Sequence, residues 1–214
     1  MAYRFPVQSS RPNLVIASSN AGKVREFAAL LAGQGLLIGS MPEDLDVEET
    51  GATFAENARL KASAVARATG CWALADDSGL EVVALGGAPG VFSARYGSSD
   101  GARIARLLHE LAALEEESCS AGRAPDRRGR FVAALALANP LGTVVLEVEG
   151  VCEGRILAAP RGEAGFGYDP VFWVEEAGQT FAEMAPEVKA RLSHRGRACA
   201  ALKPHLRRLL APLG

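Results

Sequence analysis

The sequence is poor in the features that mark several large protein classes. Aromatic residues make up 6% of its 214 positions, it has only three histidines and four cysteines, and its formal net charge is −2. A nearly neutral chain lacks the dense basic face on which polyanion binding depends, so nucleic acid is not expected as a partner. A phosphorylated ligand would have to be bound by a few local cations.

The cysteines are scattered and the apolar runs are short. No cysteine forms a CxxC pair or lies near histidine at a zinc spacing, which argues against a sulfur-bound metal. No window reaches the roughly 18 uninterrupted apolar residues of a membrane span. Residues 1–11 have no apolar run typical of a signal peptide. We therefore predict reduced thiols, no membrane partner and a cytoplasmic location.

Short apolar segments alternate with amphipathic ones along most of the chain. Predicted strands cover residues 13–18, 36–38, 71–75, 80–85, 130–138, 143–156 and 171–174. Predicted helices cover residues 23–31, 53–69, 100–117 and 193–210, the last interrupted by Pro204. Strands mixed with helices, together with a hairpin at 139–142, predict an α/β fold with a mixed sheet. We expect a single domain over 13–214 after an N-terminal leader, 1–12, and a mobile loop at 118–129.

Six polar or small residues join the first predicted strand to the first helix: Ser18, Ser19, Asn20, Ala21, Gly22 and Lys23. The start of a helix offers backbone N–H groups and a positive dipole end to an anion. Lys23 would add a charge, and Ser18 and Asn20 would add hydrogen-bonding groups. The pattern is not a Walker loop. An ordinary capped helix explains the same residues, so both interpretations stay open.

Adjacent carboxylates, Asp76 and Asp77, follow a short apolar segment and precede Ser78. Neighbouring carboxylates repel each other unless a cation or several donors lie among them. A magnesium ligand combined with a general base is one interpretation, and a polar turn capping backbone amides is the other. Glu48 and Glu49 could supply a second metal ligand, although acidic runs are commonly solvated.

The helix predicted from residue 53 begins with a capping box, Thr53 followed by Glu56. Asn57 and Lys61 are four residues apart and therefore share a face of this helix. Lys61 could reach a phosphate from that face, or could be an ordinary solvated lysine.

Two later segments carry groups suited to a nucleobase. The first is the run Phe166, Gly167, Tyr168, Asp169 and Pro170. Its rings could stack on a base or could be core anchors of a tight turn. The second contains Lys189, His194 and Arg195, which could donate to a carbonyl or a phosphate.

Taken in order, these motifs resemble the inosine triphosphate pyrophosphatase family, also called the Ham1-like non-canonical purine nucleoside triphosphate pyrophosphatases. The motifs are SSNAGKVRE from Ser18, ETG from Glu49, TFAENA with Lys61, ADDSGL from Ala75, GGAPGVFSARY from Gly86, GFGYDP from Gly165 and SHRG from Ser193. The resemblance spans about residues 14–210. The leader and the 118–129 loop are longer than the family pattern, but neither touches a motif.

The resemblance implies an elongated mixed sheet flanked by helices, with two lobes around a central active-site cleft, and a homodimer. It also implies hydrolysis of dITP, ITP, XTP and dXTP to the monophosphate and pyrophosphate, with Mg²⁺ as cofactor and Mn²⁺ as a possible substitute. Such an enzyme cleanses the nucleotide pool and prevents misincorporation into DNA and RNA.

The resemblance assigns roles residue by residue. The run from Ser18 to Lys23, with Lys61, would bind the triphosphate. Glu49 and Asp77 would ligate the metal, with Asp77 as general base and Asp76 supporting it. The remaining substrate contacts would come from Ser78, Phe166, Gly167, Tyr168, Asp169, Lys189, His194 and Arg195, with Phe166 stacking on the purine.

Two other functions compete with this one. A nucleotide sensor could use the same pocket without cleaving its ligand, although it would not need the carboxylates. A Maf-like pyrophosphatase for modified pyrimidine triphosphates is the second alternative. The two base-directed segments favour purines over pyrimidines.

Overall fold

The computed structural model describes residues 13–120 and 126–210, without the side chains of 117–120 and 207. The strands found in these residues are β1 (Leu14–Ile16), β2 (Ile38–Ser40), β3 (Trp72–Val82), β4 (Arg128–Ala138), β5 (Val144–Ile156), β6 (Phe172–Val174) and β7 (Gln179–Thr180). The α-helices are α1 (Ala21–Leu30), α2 (Phe54–Thr69), α3 (Asp100–Ser120), α4 (Pro186–Leu192) and α5 (His194–Leu210). Short 3₁₀ turns cover Val83–Leu85 and Gly90–Arg95.

The strands form one mixed sheet in the order β2-β1-β3-β4-β5-β6-β7. Strand β1 is parallel to both β2 and β3, whereas β5–β6 and β6–β7 are antiparallel pairs. The predicted mixed α/β fold is confirmed. The cleft between two lobes stays a prediction.

The contacts divide the chain into two compact units, which we describe separately. Of the described residues, unit 1 contains 13–77, 133–150 and 198–210, and unit 2 contains 78–120, 126–132 and 151–197. Strands β3, β4 and β5 contribute residues to both. The predicted single domain over 13–214 stays a prediction, and the leader, 1–12, lies outside the described residues.

Unit 1 has a core of aliphatic side chains around Phe27. Fully or almost fully buried members include Leu14, Ile16, Phe27, Leu74, Leu135 and Leu202. Helix α2 begins as its sequence predicts, because Thr53 accepts from the Glu56 N–H and Glu56 accepts from the Thr53 N–H. It ends at Gly70, whose left-handed φ of 62° suits glycine. The helix therefore starts and stops at fixed positions beside β3.

Unit 2 has a core that is richer in aromatic side chains. Phe131, Phe172 and Phe181 pack against one another with ring centroids 4.7 to 5.7 Å apart. Helix α3 adds Leu107 and Leu111, which are buried in the same cluster. This core lies beneath the segments predicted to bind a base.

Of the two interpretations of Asp76 and Asp77, the polar turn was wrong. Strand β3 continues through Asp76 and Asp77 to Val82, and its interior is almost entirely buried. The two carboxylates tolerate burial because lysine and asparagine side chains from α1 and α2 bind them, as described below. The prediction of separate strands at 71–75 and 80–85 was wrong for the same reason, and Val83–Leu85 is a 3₁₀ turn.

Other predicted boundaries also shift. Helix α5 is not interrupted at Pro204, because Leu202 and Leu206 are buried on either side of it. Helix α4 and strand β7 were not predicted, and β2 begins at Ile38, where its predicted span ended. Part of the predicted 118–129 loop belongs to α3 and β4, and residues 121–125 lie outside the described residues.

Three of the four cysteines have described side chains. Cys71, Cys152 and Cys199 are buried, and no disulfide joins these three. Among the described helices, none has the length and apolar character needed to cross a membrane.

Candidate active site

The run from Ser18 to Lys23 forms the N-terminus of α1. Asn20 is the N-cap, and its side-chain oxygen accepts from the N–H groups of Gly22 and Lys23 at 2.8 and 3.1 Å. The Asn20 N–H in turn donates to Ser18 Oγ at 3.2 Å. Both interpretations of this run therefore have support: the helix is capped conventionally, and Ser19, Asn20 and Ala21 are exposed where an anion could approach.

Lys23 extends from α1 to Asp76 on β3. Its ammonium lies 2.7 Å from Asp76 Oδ2, and the Asp76 side chain is completely buried. An isolated carboxylate would be very costly there, so the lysine compensates its charge. Asp76 therefore holds the Lys23 ammonium beside the start of α1.

Asp77 is held from α2 by Asn57. The buried Asn57 amide donates to Asp77 Oδ2 at 3.0 Å, and its oxygen accepts from the Gly51 N–H at 2.7 Å. A side chain at Gly51 would come within 2.7 Å of that same oxygen, so the close approach requires glycine. Asn57 thus fixes both the carboxylate and the loop that carries Glu49.

Lys61 lies one helical turn beyond Asn57 and joins two carboxylates. Its ammonium is 2.7 Å from Glu49 Oε1 and 3.4 Å from Asp77 Oδ1. The lysine and Asp77 side chains are 12% and 9% exposed. We refer to Glu49, Asn57, Lys61 and Asp77 as the acidic centre.

The environment of the acidic centre changes the proton affinity of its groups. Burial raises the pKa of Asp77 above its usual value, while the Lys61 ammonium opposes the increase. For Lys61, burial lowers the pKa, but the charges of Asp77 and Glu49 outweigh it and the net direction is upward. Lys61 therefore remains an ammonium ion over the neutral pH range.

The donor set of the acidic centre fits a hard divalent cation. Two carboxylates from different segments, Glu49 and Asp77, already share one positive group. Mg²⁺ is commonly bound by one or two carboxylates, with phosphates and water completing its shell. Within residues 13–120 and 126–210, no group of three or more His, Cys, Asp and Glu side chains could hold a metal. The arrangement fits a metal that is shared with a phosphate ligand better than a closed protein cage.

In unit 2, Asp169 shapes the loop at residues 165–169, which we call the aromatic loop. Its Oδ2 accepts from the Phe166 N–H at 2.9 Å and from the Lys189 ammonium at 2.5 Å. Gly165 has φ of +82°, and a side chain there would come within 2.0 Å of Asp169 Oδ2. Asp169 therefore organises the aromatic loop and Lys189 together.

Two cations lie near the ring of Phe166. The Lys189 ammonium is 5.5 Å and the Arg195 guanidinium 5.3 Å from the ring centroid, within the range of cation–π attraction. Arg195 also donates to Ser78 Oγ at 2.7 Å. The structure thus brings together Ser78, Phe166, Lys189 and Arg195, four residues predicted to contact substrate.

Tyr168 and His194 are packed more deeply than the sequence suggested. The Tyr168 hydroxyl donates to the Ser93 carbonyl at 2.9 Å, and burial raises its pKa. Tyr168 is therefore a core anchor of the loop. The His194 ring is 2% exposed and stacks on Phe131 at 4.6 Å. A contact between His194 and a base stays a prediction.

Asp100, the first residue of α3, was not predicted to belong to the site. Its Oδ2 accepts from the Gly167 N–H at 2.7 Å, while its other oxygen pairs with Arg103. In the sequence, an acidic residue at a helix start is explained by the helix dipole alone, so no local signal distinguishes this contact. Asp100 fixes the middle of the aromatic loop.

If ITP is the substrate, as the resemblance implies, we expect Asp100→Ala to raise KM for it by about three- to tenfold with little change in kcat, since one hydrogen bond to the loop contributes about 1 kcal/mol. Asp100→Asn keeps a carbonyl acceptor and should lie closer to the wild type. Glu147→Ala removes a comparably exposed ion pair in unit 1 and serves as control. Equal losses in kcat for both Asp100 variants would contradict a positioning role.

The fold, the acidic centre and the cations around Phe166 define the class of protein. Unit 1 carries buried carboxylates with lysines, which suit a phosphorylated ligand. Unit 2 carries cations around an aromatic ring, which suit an aromatic ligand. The Ham1 family model matches residues 14–205. The chain belongs to the Ham1 family.

Individual relatives agree with this membership. The dITP/XTP pyrophosphatase of Prochlorococcus marinus (strain MIT 9313) is 59% identical over 197 residues, covering 92% of both chains. The dITP/XTP pyrophosphatase of a Nostoc species is 54% identical and covers 92% of this chain and 96% of its own. The solved structure of a HAM1 protein from Coxiella burnetii is 42% identical with a TM-score of 0.78, covering 91% of this chain and 98% of its own.

Proposed function

We propose that this protein hydrolyses non-canonical purine nucleoside triphosphates, namely dITP, ITP, XTP and dXTP, to the monophosphate and pyrophosphate. The observation that carries the proposal is the acidic centre, in which a buried Asp77 is oriented by Asn57 beside Glu49 and Lys61. A binding protein has no need to bury and orient such a carboxylate. The names of the relatives support the same activity.

The triphosphate is the part of the substrate that requires charge compensation. It carries close to four negative charges, and preorganised cations stabilise the charge that develops during phosphoryl chemistry. Lys23 and Lys61 supply ammonium groups, and Ser18, Asn20 and the exposed start of α1 supply hydrogen-bond donors. This part of unit 1 binds and orients the phosphates.

A divalent metal, Mg²⁺ or alternatively Mn²⁺, would be held by Glu49 and Asp77. When bound, it would polarise the phosphoryl group and help to form a nucleophile from water at neutral pH. Asp77 accepts the proton of the water that attacks the α-phosphorus, and pyrophosphate leaves. Asn57 keeps the Asp77 carboxylate oriented, and Asp76 keeps Lys23 in place.

Base selection would reside in unit 2. Hypoxanthine, xanthine and guanine present a 6-oxo acceptor, where adenine presents an amino donor. Rejection of guanine must therefore come from its 2-amino group. Donors such as Lys189 and Arg195 would meet the 6-oxo group, whereas an adenine would leave them unpaired at a cost of about 1–3 kcal/mol per group. Ser78 fixes the guanidinium of Arg195 through their hydrogen bond.

Phe166→Ala is expected to raise KM for ITP by about 5- to 100-fold and to change the turnover of bound substrate much less, because base–aromatic stacking contributes about 1–3 kcal/mol. Phe92→Ala removes an exposed phenylalanine of the same unit and serves as the matched control. Steady-state kinetics with ITP separates KM from kcat. A loss confined to kcat would contradict stacking on the substrate.

The test of the function is a substrate panel analysed by chromatography. ITP, XTP, dITP, GTP, ATP and dUTP are incubated with the purified protein, with Mg²⁺ and with chelator. We expect metal-dependent conversion of ITP, XTP and dITP to monophosphate and pyrophosphate, with ATP and GTP largely spared. Formation of the diphosphate and phosphate would contradict attack at the α-phosphorus.

The alternatives give different results in the same panel. Binding of ITP without cleavage would indicate a sensor, and preferential cleavage of pyrimidine triphosphates would indicate a Maf-like specificity. The homodimer and the cytoplasmic location implied by the sequence remain predictions.

A further inference from the structure

Lys61 occupies an unusual position for a lysine that is to bind phosphate. Its ammonium is directed at Glu49 and Asp77, the two carboxylates assigned to the metal, at 2.7 and 3.4 Å. The side chain is only 12% exposed. In this conformation the positive charge of Lys61 offsets one of the two negative charges of Glu49 and Asp77.

A metal and this ammonium would compete for the same oxygens. A Mg–O bond is about 2.1 Å long, so a cation bound to Glu49 Oε1, which is 2.7 Å from Nζ, would lie within about 5 Å of the ammonium. Two positive groups so close together in a half-buried site repel each other strongly. Binding of either the metal or the Lys61 ammonium to Glu49 and Asp77 therefore weakens binding of the other.

We propose that Lys61 is an internal counter-ion that competes with the divalent metal for Glu49 and Asp77 and releases them when a triphosphate attracts its ammonium group. The inference rests on the proposed function. Lysine suits this exchange because its compact charge sits on a flexible four-carbon stem. The phosphates would then receive the ammonium while the metal takes its place, so that metal and nucleotide bind cooperatively.

Lys23 provides a matched control for the loss of a nearby positive charge. It is also a half-buried ammonium of unit 1 and lies 2.7 Å from a carboxylate, but that carboxylate is Asp76 and not a residue assigned to the metal. A general electrostatic effect on metal affinity would appear in variants of both lysines. Competition for the acidic centre would appear in variants of Lys61 alone.

The experiment is a titration of the nucleotide-free full-length protein with Mn²⁺, followed by electron paramagnetic resonance of the free ion. We expect Lys61→Gln to bind Mn²⁺ at least about tenfold more tightly than the wild type, because a repelling charge is removed at short range. Lys23→Gln should change the affinity much less. Lys61→Met, which keeps the unbranched stem, should behave like Lys61→Gln.

Thermal unfolding gives a second readout that does not depend on activity. In chelator, the Lys61 variants should melt below the wild type, since Glu49 and Asp77 have lost their counter-ion, and Mg²⁺ should raise their melting temperature more than that of the wild type. Unchanged or weaker Mn²⁺ binding by both Lys61 variants would overturn the inference. That result would not contradict the proposed function if the wild type still cleaved ITP. A wild type that cleaved no triphosphate would refute the proposed function itself.

Discussion

Asp77→Asn should lower kcat for ITP by about 10²- to 10⁴-fold, the usual contribution of a general base. The asparagine keeps the shape of the side chain, and its oxygen can still accept the bond that Asn57 donates at 3.0 Å. What it loses is the ability to accept a proton and one of the two charges assigned to the metal. Release of pyrophosphate with saturating Mg²⁺ measures the effect.

Folding of the variant must be shown separately. Circular dichroism and thermal unfolding should resemble those of the wild type, since burial already raises the pKa of Asp77 and a neutral isostere avoids that cost. Asp126→Asn, which alters an aspartate paired with Arg128 elsewhere in the chain, should retain full activity. A well-folded Asp77→Asn protein with a near-normal rate would remove Asp77 from the mechanism.

The sequence predicted elements whose start and stop are encoded locally. Helix α2 has a capping box at Thr53 and Glu56 that acts as predicted, and the helix ends at Thr69, the last residue of its predicted range. Helical periodicity also predicted that Asn57 and Lys61 share one face of the helix, and both side chains contact Asp77. Local chemistry was sufficient in these cases.

Strand β3 was predicted poorly because the interactions that stabilise it are not local. Two adjacent aspartates favour a turn when only their neighbours are considered. Asp76 pairs with Lys23, 53 residues away in sequence, and Asp77 pairs with Lys61, 16 residues away. These contacts allow the strand to continue through both aspartates. The same limitation hid the role of Asp100, whose contact with Gly167 spans 67 residues. The motifs predicted which residues belong to the site, but the contacts among those residues required the fold.

Lys23→Met should destabilise the protein by about 3–5 kcal/mol, the usual cost of removing one partner from a buried ion pair. Asp76 is completely buried and lies 2.7 Å from the Lys23 ammonium. The variant should also raise KM for ITP, because the triphosphate loses a cation. Urea unfolding and steady-state kinetics measure the two effects independently.

The double variant Lys23→Met with Asp76→Asn separates these effects. Replacing the carboxylate by a neutral amide removes the uncompensated charge, so most of the lost stability should return, and the double-mutant cycle gives the coupling between the two residues. The affinity for ITP should not return, since the phosphates still lack the ammonium. If stability and affinity recovered together, Lys23 would act only as the partner of Asp76. If neither single variant lost stability, the ion pair would not be what allows β3 to carry Asp76 into the core.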